Sequence, residues 1–547
     1  MAISFAVLMP EEFSEEEKKI LSQFFTNMDK PIFVLRNLPE VVKGALFSRY
    51  SRTDKSLRRV LLDEFIKVPE MGFKDIVNFQ VEKGSDEIVA IKKAEEFYDR
   101  VLVGYGDDSV AELAGAHIAI EQVSNIATKV IEDARIGFSP LEKSSRYVYF
   151  NQKVNGKYQY YREPAIMSSK FADLYVQTMD SLFDTYSKLV DPMVKFLMEK
   201  FPQGDTPDRA YKFTIRAKAC DSLRIFLPAS TLTNMGMFGN GRAYEYLLTK
   251  MYAHPLAEMH NVAASMHEEL NKAIPSFVKR ASPSDRYGGP TIKYISETQA
   301  ALSQLAQGFT SNPVPTDSVS LVDFDPDAET KVLAAAIYQH TQLPLDQLRM
   351  LVRLLSAEER KAILNECLGR RDNRRHKTIR SFENTYYTFD ILGNYGIYRD
   401  LQRHRMLTQE KQNLTVKHGY DMPKELVQAG FENEAREMMN AAADAFNQIY
   451  EVLPAQAQYA VPFGYKIRWY MKMNLREVFH FTELRSVQQG HPDYRKIAQK
   501  MFLKVKEIHP TLAEYIKFID MNDYDLERLE AEKKLEKKLQ EMNKSGP

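Results

Sequence analysis

The 547 residues carry 74 Lys and Arg against 74 Asp and Glu, so no overall field draws the chain to a polyanion, and nucleic acid is not expected as a partner. With 44% hydrophobic residues it can bury more than one core of ordinary domain size. The two cysteines, Cys220 and Cys367, lie far apart, which excludes a disulfide scaffold, and neither a cysteine-held zinc site nor another metal is expected. The start MAISFAVLMPEEF has no basic region before its apolar stretch, and no run approaches the roughly 20 apolar residues of a membrane span, so a cytoplasmic protein is expected.

In chain order, residues 1–30 read as an N-terminal extension and 31–280 as a first domain. IFVLRNLPEVVKGALFSRYSR, from residue 32, predicts an extended run, a Pro and a helix. DDSVAELAGAHIAIEQVS (107–124) predicts a polar loop and a half-buried strand over 116–124, and ARIGFSPLEKSSRY (134–147) a basic turn. LRIFLPASTLTNMGMFGNGR (223–242) reads as a Pro-containing helix followed by Asn-x-Arg, and helical periodicity runs through 244–270. Residues 281–317, rich in Pro, Gly, Ser and Thr at both ends, are expected to link to a second domain at 318–520.

That second domain repeats the plan. VSLVDFDPDAETKVLAAAIYQHT predicts strand, Pro and helix; RSFENTYYTFDILGN (380–394) a loop and a strand over 385–392; LQRHRMLTQEKQNLT (401–415) the basic turn; YAVPFGYKIRWYMKMNLR (459–476) the Pro segment and Asn-x-Arg. Helical periodicity recurs over 427–450. Four landmarks in the same order mark a duplication. Residues 521–547 form a charged tail whose thin stripe, Leu526, Leu529, Leu535 and Leu539, is expected on a solvated helix. The basic cluster at 370–377 fits either a solvated loop or a phosphate grip, and His117 and His480 are expected in the core.

With these landmarks placed, the chain resembles the flavin-dependent thymidylate synthases in both halves. The second half has the opening of that family's motif, Arg403-His404-Arg405, but carries Asn413 and Thr415 where the family has its later Ser and Arg. The first half has Asp133-Ala134-Arg135 in place of the opening, yet keeps the closing part as Glu142, Ser144, Arg146 and Tyr147. Arg224 stands where the family has an Arg before Leu-Pro, with about Gln458 opposite it in the second half. Arg485 follows Asn474-x-Arg476 at the family's interval, with about Met251 opposite it in the first. Each copy keeps what the other lost.

The resemblance implies two tandem α+β domains, each a sheet packed with helices, and a composite site between them. It implies substrate contacts from Glu142, Ser144, Arg146, Arg224, Arg403 and Arg485, with Arg403 and Arg485 beside the reacting ring. Cofactor contacts would come from Arg403, His404, Arg405, Asn240, Arg242, Asn474, Arg476 and Glu383. The implied reaction is methylation of dUMP to dTMP with FAD as cofactor and methylenetetrahydrofolate and NADPH as co-substrates, in a homodimer of fused chains that mimics the family's tetramer. Two departures, Asp400 where the family has Gln and Lys411 where it has Glu, leave open another pyrimidine or one-carbon donor, or a non-catalytic nucleotide binder.

Overall fold

The computed structural model describes residues 11–51, 53–68, 110–309, 311, 314 and 316–544. The first ten residues of the expected N-terminal extension, residues 107–109 of the first polar loop, residues 310, 312, 313 and 315 of the linker and the last three of the tail lie outside the described residues.

Both copies build the same sheet. In the first copy β1 (Gly115–Ser124), β5 (Leu232–Asn240) and β2 (Phe138–Glu142) lie in the order β1-β5-β2. In the second, β7 (Tyr386–Asn394), β9 (Lys466–Asn474) and β8 (Leu407–Lys411) lie in the order β7-β9-β8, with β6 (Val319–Phe324) added beyond β7. A short hairpin, β3 (Lys153–Val154) with β4 (Lys157–Tyr158), stands apart. Buried and solvent-facing side chains alternate along β7 and β9, as period-two sequences with one covered face must. The strands over 116–124 and 385–392 are thus present as read.

Two other readings need correction. The Pro-containing segments before each Asn-x-Arg do not form helices. A short 3-10 turn ends two residues before each Pro, which has no N–H to continue a helix, and four residues after the Pro the nine-residue strands β5 and β9 begin. The extended run from residue 32 is not a ladder strand either. Ile32 and Val34 are 82% and 64% exposed, and among the described residues the run makes only a bridge between Phe25 and Leu35 before the helix Glu40–Tyr50.

The helical expectations resolve into pairs, Gly241–Tyr252 with Ala257–Ala273 over 244–270, and Lys424–Gln428 with Glu432–Tyr450 over 427–450. The charged tail is not simply solvated. Its helix Leu529–Lys544 packs on the helix Asp208–Leu223, where Glu536 accepts from the Ala210 amide at 3.0 Å.

Contacts divide the described residues into two compact units that do not follow the two copies. The first unit is drawn from Met1–Glu121, Val130–Glu142 and Asn234–Thr310. The second is drawn from Gln122–Lys129, Lys143–Thr233 and Ser311–Pro547. Residues Lys143–Thr233 of the first copy therefore belong to the body that contains all of the second copy's sheet. Backbone bonds fix them there: Ala229 N–H donates to Val461 at 2.8 Å and Phe463 N–H to Leu227 at 2.9 Å.

Candidate functional site

Strand register brings the site residues of the second unit to one place. β7 ends at Asn394, whose side chain accepts from the Ile397 amide at 3.1 Å and starts the helix Tyr395–Leu401. Arg403, His404 and Arg405 follow directly and lead into β8, which pairs Leu407 with Met473 of β9. One residue later Asn474 caps the helix Leu475–Arg485 by accepting from the Glu477 amide at 2.9 Å. The basic triplet and the start of that helix must therefore meet at the same edge.

At this edge four arginines surround one carboxylate. Arg224 Nη1 lies 3.7 Å from Asp400 Oδ2. Burial pushes the Asp400 carboxyl up, but Arg224, Arg146, Arg403 and Arg485 together hold it below its usual value. Arg146, buried, forks onto Asp221 with Nε–Oδ1 2.8 Å and Nη2–Oδ2 2.7 Å. Burial opposes its charge, yet the Asp221 carboxylate outweighs burial and raises it above an ordinary guanidinium. Tyr494 is shared, its ring centre 5.8 Å from both the Arg146 and the Arg485 guanidinium. Two aspartates against four arginines leave an excess of positive charge, which a phosphate dianion would balance.

Two buried atoms in this cluster lack any hydrogen-bond partner: Arg224 Nη2 and Asp400 Oδ2. Such atoms are costly unless a ligand meets them. A Cβ at Gly396 would stand 3.2 Å from Arg224 Nε, so glycine there lets the arginine lie close over the start of its helix. Behind Arg224 is a cavity of about 270 Å³, lined among others by Lys218, Asp221, Asn394, His491 and Asp493. Burial, then Arg224 and Arg146, drive His491 well below its usual pKa, so it is neutral.

The His404 ring is buried and both nitrogens are engaged. Arg485 Nε donates to Nε2 at 2.8 Å, and an arginine can only donate. The proton of a neutral His404 is therefore on Nδ1, 2.6 Å from Glu477 Oε1. Burial pushes Glu477 up to about 8, against the pull of Lys377, Arg485 and Arg476. His480, lowered to about 4 chiefly by burial and then by Lys377, accepts from Lys377 Nζ at 2.7 Å. His404, Glu477 and His480 have donor atoms within 4.8 Å of one another, but the ring nitrogens hold Arg485 and Lys377.

The remaining predicted residues are placed as follows. Arg403 and Arg405 are exposed, and Ser144 is half-buried and accepts from the Arg146 amide at 3.2 Å. Arg476 donates to Glu383 at 2.8 Å and to the Thr378 carbonyl at 2.9 Å. Glu142, Asn240 and Arg242 belong to the first unit. Glu142 is buried at the end of β2 opposite Met235, Asn240 caps its helix through the Ala243 amide at 2.8 Å, and Arg242 pairs with Glu112 at 3.0 Å. Both copies thus keep the same device, a capping Asn with an Arg two residues on that grips a glutamate. In the first unit this device borders a cleft of about 760 Å³, beside Asp133, Ala134 and Arg135.

Sequence reasoning missed Asp221, Glu477 and Tyr494. Asp221 stands in the last turn of the helix Asp208–Leu223, three residues before Arg224 at its C-terminal cap, a spacing that places both on one side, and this was the available signal. His480 borders the cluster and His117 is exposed, so neither is a core histidine. In the basic cluster Arg371 is buried on Glu483 at 2.6 Å and is structural, while Lys377 reaches His480.

Residues 66–276 and 320–511 match the family described as thymidylate synthase complementing protein. A UPF0159 protein of Chlamydia muridarum is 46% identical over 525 residues, covering 95% of this chain and 98% of its own. Another UPF0159 protein, of Thermoplasma acidophilum, is 35% identical over 90% of this chain and 97% of its own. A flavin-dependent thymidylate synthase of Geobacter sulfurreducens is 27% identical over 36% of this chain and 84% of its own. A solved UMP/dUMP methylase of Streptomyces cacaoi is similar at 17% identity and a TM-score of 0.29, covering 36% of this chain and 93% of that one.

Proposed function

The chain belongs to the thymidylate synthase complementing protein family, in two tandem copies, and on that premise we propose that it methylates dUMP to dTMP with FAD, methylenetetrahydrofolate and NADPH. The observation that carries this is the convergence of Arg146 and Arg224 from one copy with Arg403 and Arg485 from the other around Asp400.

The donor set fits the groups the reaction needs. Arg224, whose Nη2 has no partner, Arg146, whose Nη1 remains beside its fork on Asp221, and Ser144 supply two cations and a hydroxyl for a nucleotide phosphate. Arg485, held at Nε by His404, keeps its remaining N–H groups for the uracil carbonyls, where negative charge grows during methylation. Glu477 fixes the His404 tautomer and so fixes Arg485. Exposed Arg403 and Arg405 would hold the flavin, with Arg476 and Glu383 at its margin; in the first unit Asn240 and Arg242 are the corresponding candidates. Reduced flavin, when bound, supplies hydride and the folate the one-carbon unit, so no protein nucleophile is required.

A second reading, the same chemistry on another pyrimidine or one-carbon donor, is favoured by Asp400, whose unpartnered oxygen would accept from a ligand N–H. The test is anaerobic mixing of the photoreduced protein with dUMP and methylenetetrahydrofolate. Thymidylate is expected; its absence, with product from dCMP or UMP instead, selects the second reading.

A further inference from the structure

The tail segment lies beyond residue 511, where the family match ends, yet it is built into the arginine cluster. Lys218, on the same helix as Asp221, is buried between Glu425 at 3.1 Å and Glu527 at 2.8 Å. Asp523 and Tyr524 line the cavity behind Arg224, and Arg495 anchors this stretch through the Asn522 carbonyl at 2.8 Å. The next residue after Glu527 is Arg528. Its guanidinium lies 4.2 Å from the centre of the Tyr147 ring, and Nη1 donates to the Tyr147 hydroxyl, one residue from Arg146.

Arg528 is only 9% exposed, and its Nε is buried with no hydrogen-bond partner. Among the described residues no carboxylate stands within ion-pair distance of it, whereas Arg146 has Asp221 and Lys218 has two glutamates. Burial, then the nearby Arg146, lower its pKa to about 9, with Glu532 the opposing influence. A buried guanidinium placed against a second cation is unfavourable by itself and becomes favourable when an anion sits between them.

We propose that Arg528 is a further phosphate-binding residue, delivered to the site by the C-terminal segment and acting together with Arg146. This rests on the nucleotide reading above only for the identity of the ligand, since any phosphate fits the same pair.

The test is calorimetric titration of the full chain and of R528Q and R528K with dUMP, deoxyuridine and inorganic phosphate. R528Q keeps a planar group over Tyr147 and removes the charge. Its dissociation constants for dUMP and phosphate should rise about tenfold to a hundredfold, with deoxyuridine unchanged, as for loss of one charge-assisted bond. R528K should recover part of the loss. Unchanged phosphate binding by R528Q overturns the proposal, and so does equal weakening of dUMP and deoxyuridine, which marks a packing role. If R528Q does not fold, R528K decides: a folded R528K whose dissociation constants for phosphate and dUMP rise several-fold while deoxyuridine is unchanged supports it, and unchanged phosphate binding or an equal weakening of deoxyuridine overturns it. Phosphate binding that depends on Arg528 in a chain that ignores dUMP would sink the nucleotide reading and leave this one standing.

Discussion

Glu477 ties the site to pH. Its carboxyl titrates near 8 in the folded chain against an ordinary 4.5, so between those values the folded state holds a proton that the unfolded state has released. The stability this lends is complete below about pH 4.5 and is lost as pH rises through about 8, by at most about 1.4 kcal/mol per pH unit. His480 acts oppositely: with its pKa lowered to about 4, it contributes stability that is present above its usual 6.5 and lost as pH falls. From pH 6.5 to 8 Glu477 is therefore the group of this pair whose contribution changes. E477Q should gain stability relative to the parent over that range in urea titrations, and a gap that does not change with pH would mean that Glu477 is already ionised. Nothing in the sequence announces this, because the cause is burial beside His404, set by a turn 73 residues earlier. Arg224 and Arg485 were legible because each sits at a fixed interval from a Pro or an Asn-x-Arg, and Arg403 and Arg146 because they stand in the opening and the closing part of one motif. Asp221 and Arg528 have no such landmark and emerge only when the chain is folded.

At the scale of elements, what was legible is what period and capping control. β7 and β9 alternate up to their last residue, and the Asn that ends each of them reads as a helix cap. N474A should cost about 1 kcal/mol, as loss of an N-cap does, while N474D should cost a few tenths at most. Both are measured by thermal melts, and equal losses in the two variants would assign Asn474 a role other than capping. What was not legible is whether an apolar run finds a neighbour: the run from residue 32 resembles β6 in composition but, among the described residues, has only the bridge to Phe25 beside it. Gly396 belongs to this scale too. The Cβ of G396A would press on Arg224 Nε, and since Arg224 Nη2 has no partner to hold it, the guanidinium should give way. The expected result is several-fold weaker nucleotide binding with little change in melting temperature; unchanged binding would mean that Arg224 does not contact the nucleotide.

At the scale of the whole molecule, order along the chain and grouping in space part company. The landmarks divide the sequence near residue 300, whereas the compact units exchange Lys143–Thr233 between copies. A fragment that begins at Ser318 would keep Arg403, His404, Arg405 and Arg485 but would lack Arg146, Arg224 and Asp221. It would also expose the faces of Val461 and Phe463 that pair with Ala229 and Leu227. Neither this fragment nor residues 1–307 should bind nucleotide alone, and co-expression of the two should restore binding through that missing pairing. Within the intact chain the same division predicts separable losses. R146A should weaken nucleotide binding by about 1.5–3 kcal/mol while flavin content holds, because it removes a charge-assisted contact to phosphate. R405A should deplete flavin and leave nucleotide binding measurable. If the fragment from Ser318 alone binds dUMP as tightly as the full chain, the two copies carry independent sites, and the convergence of their arginines on Asp400 is a matter of packing alone.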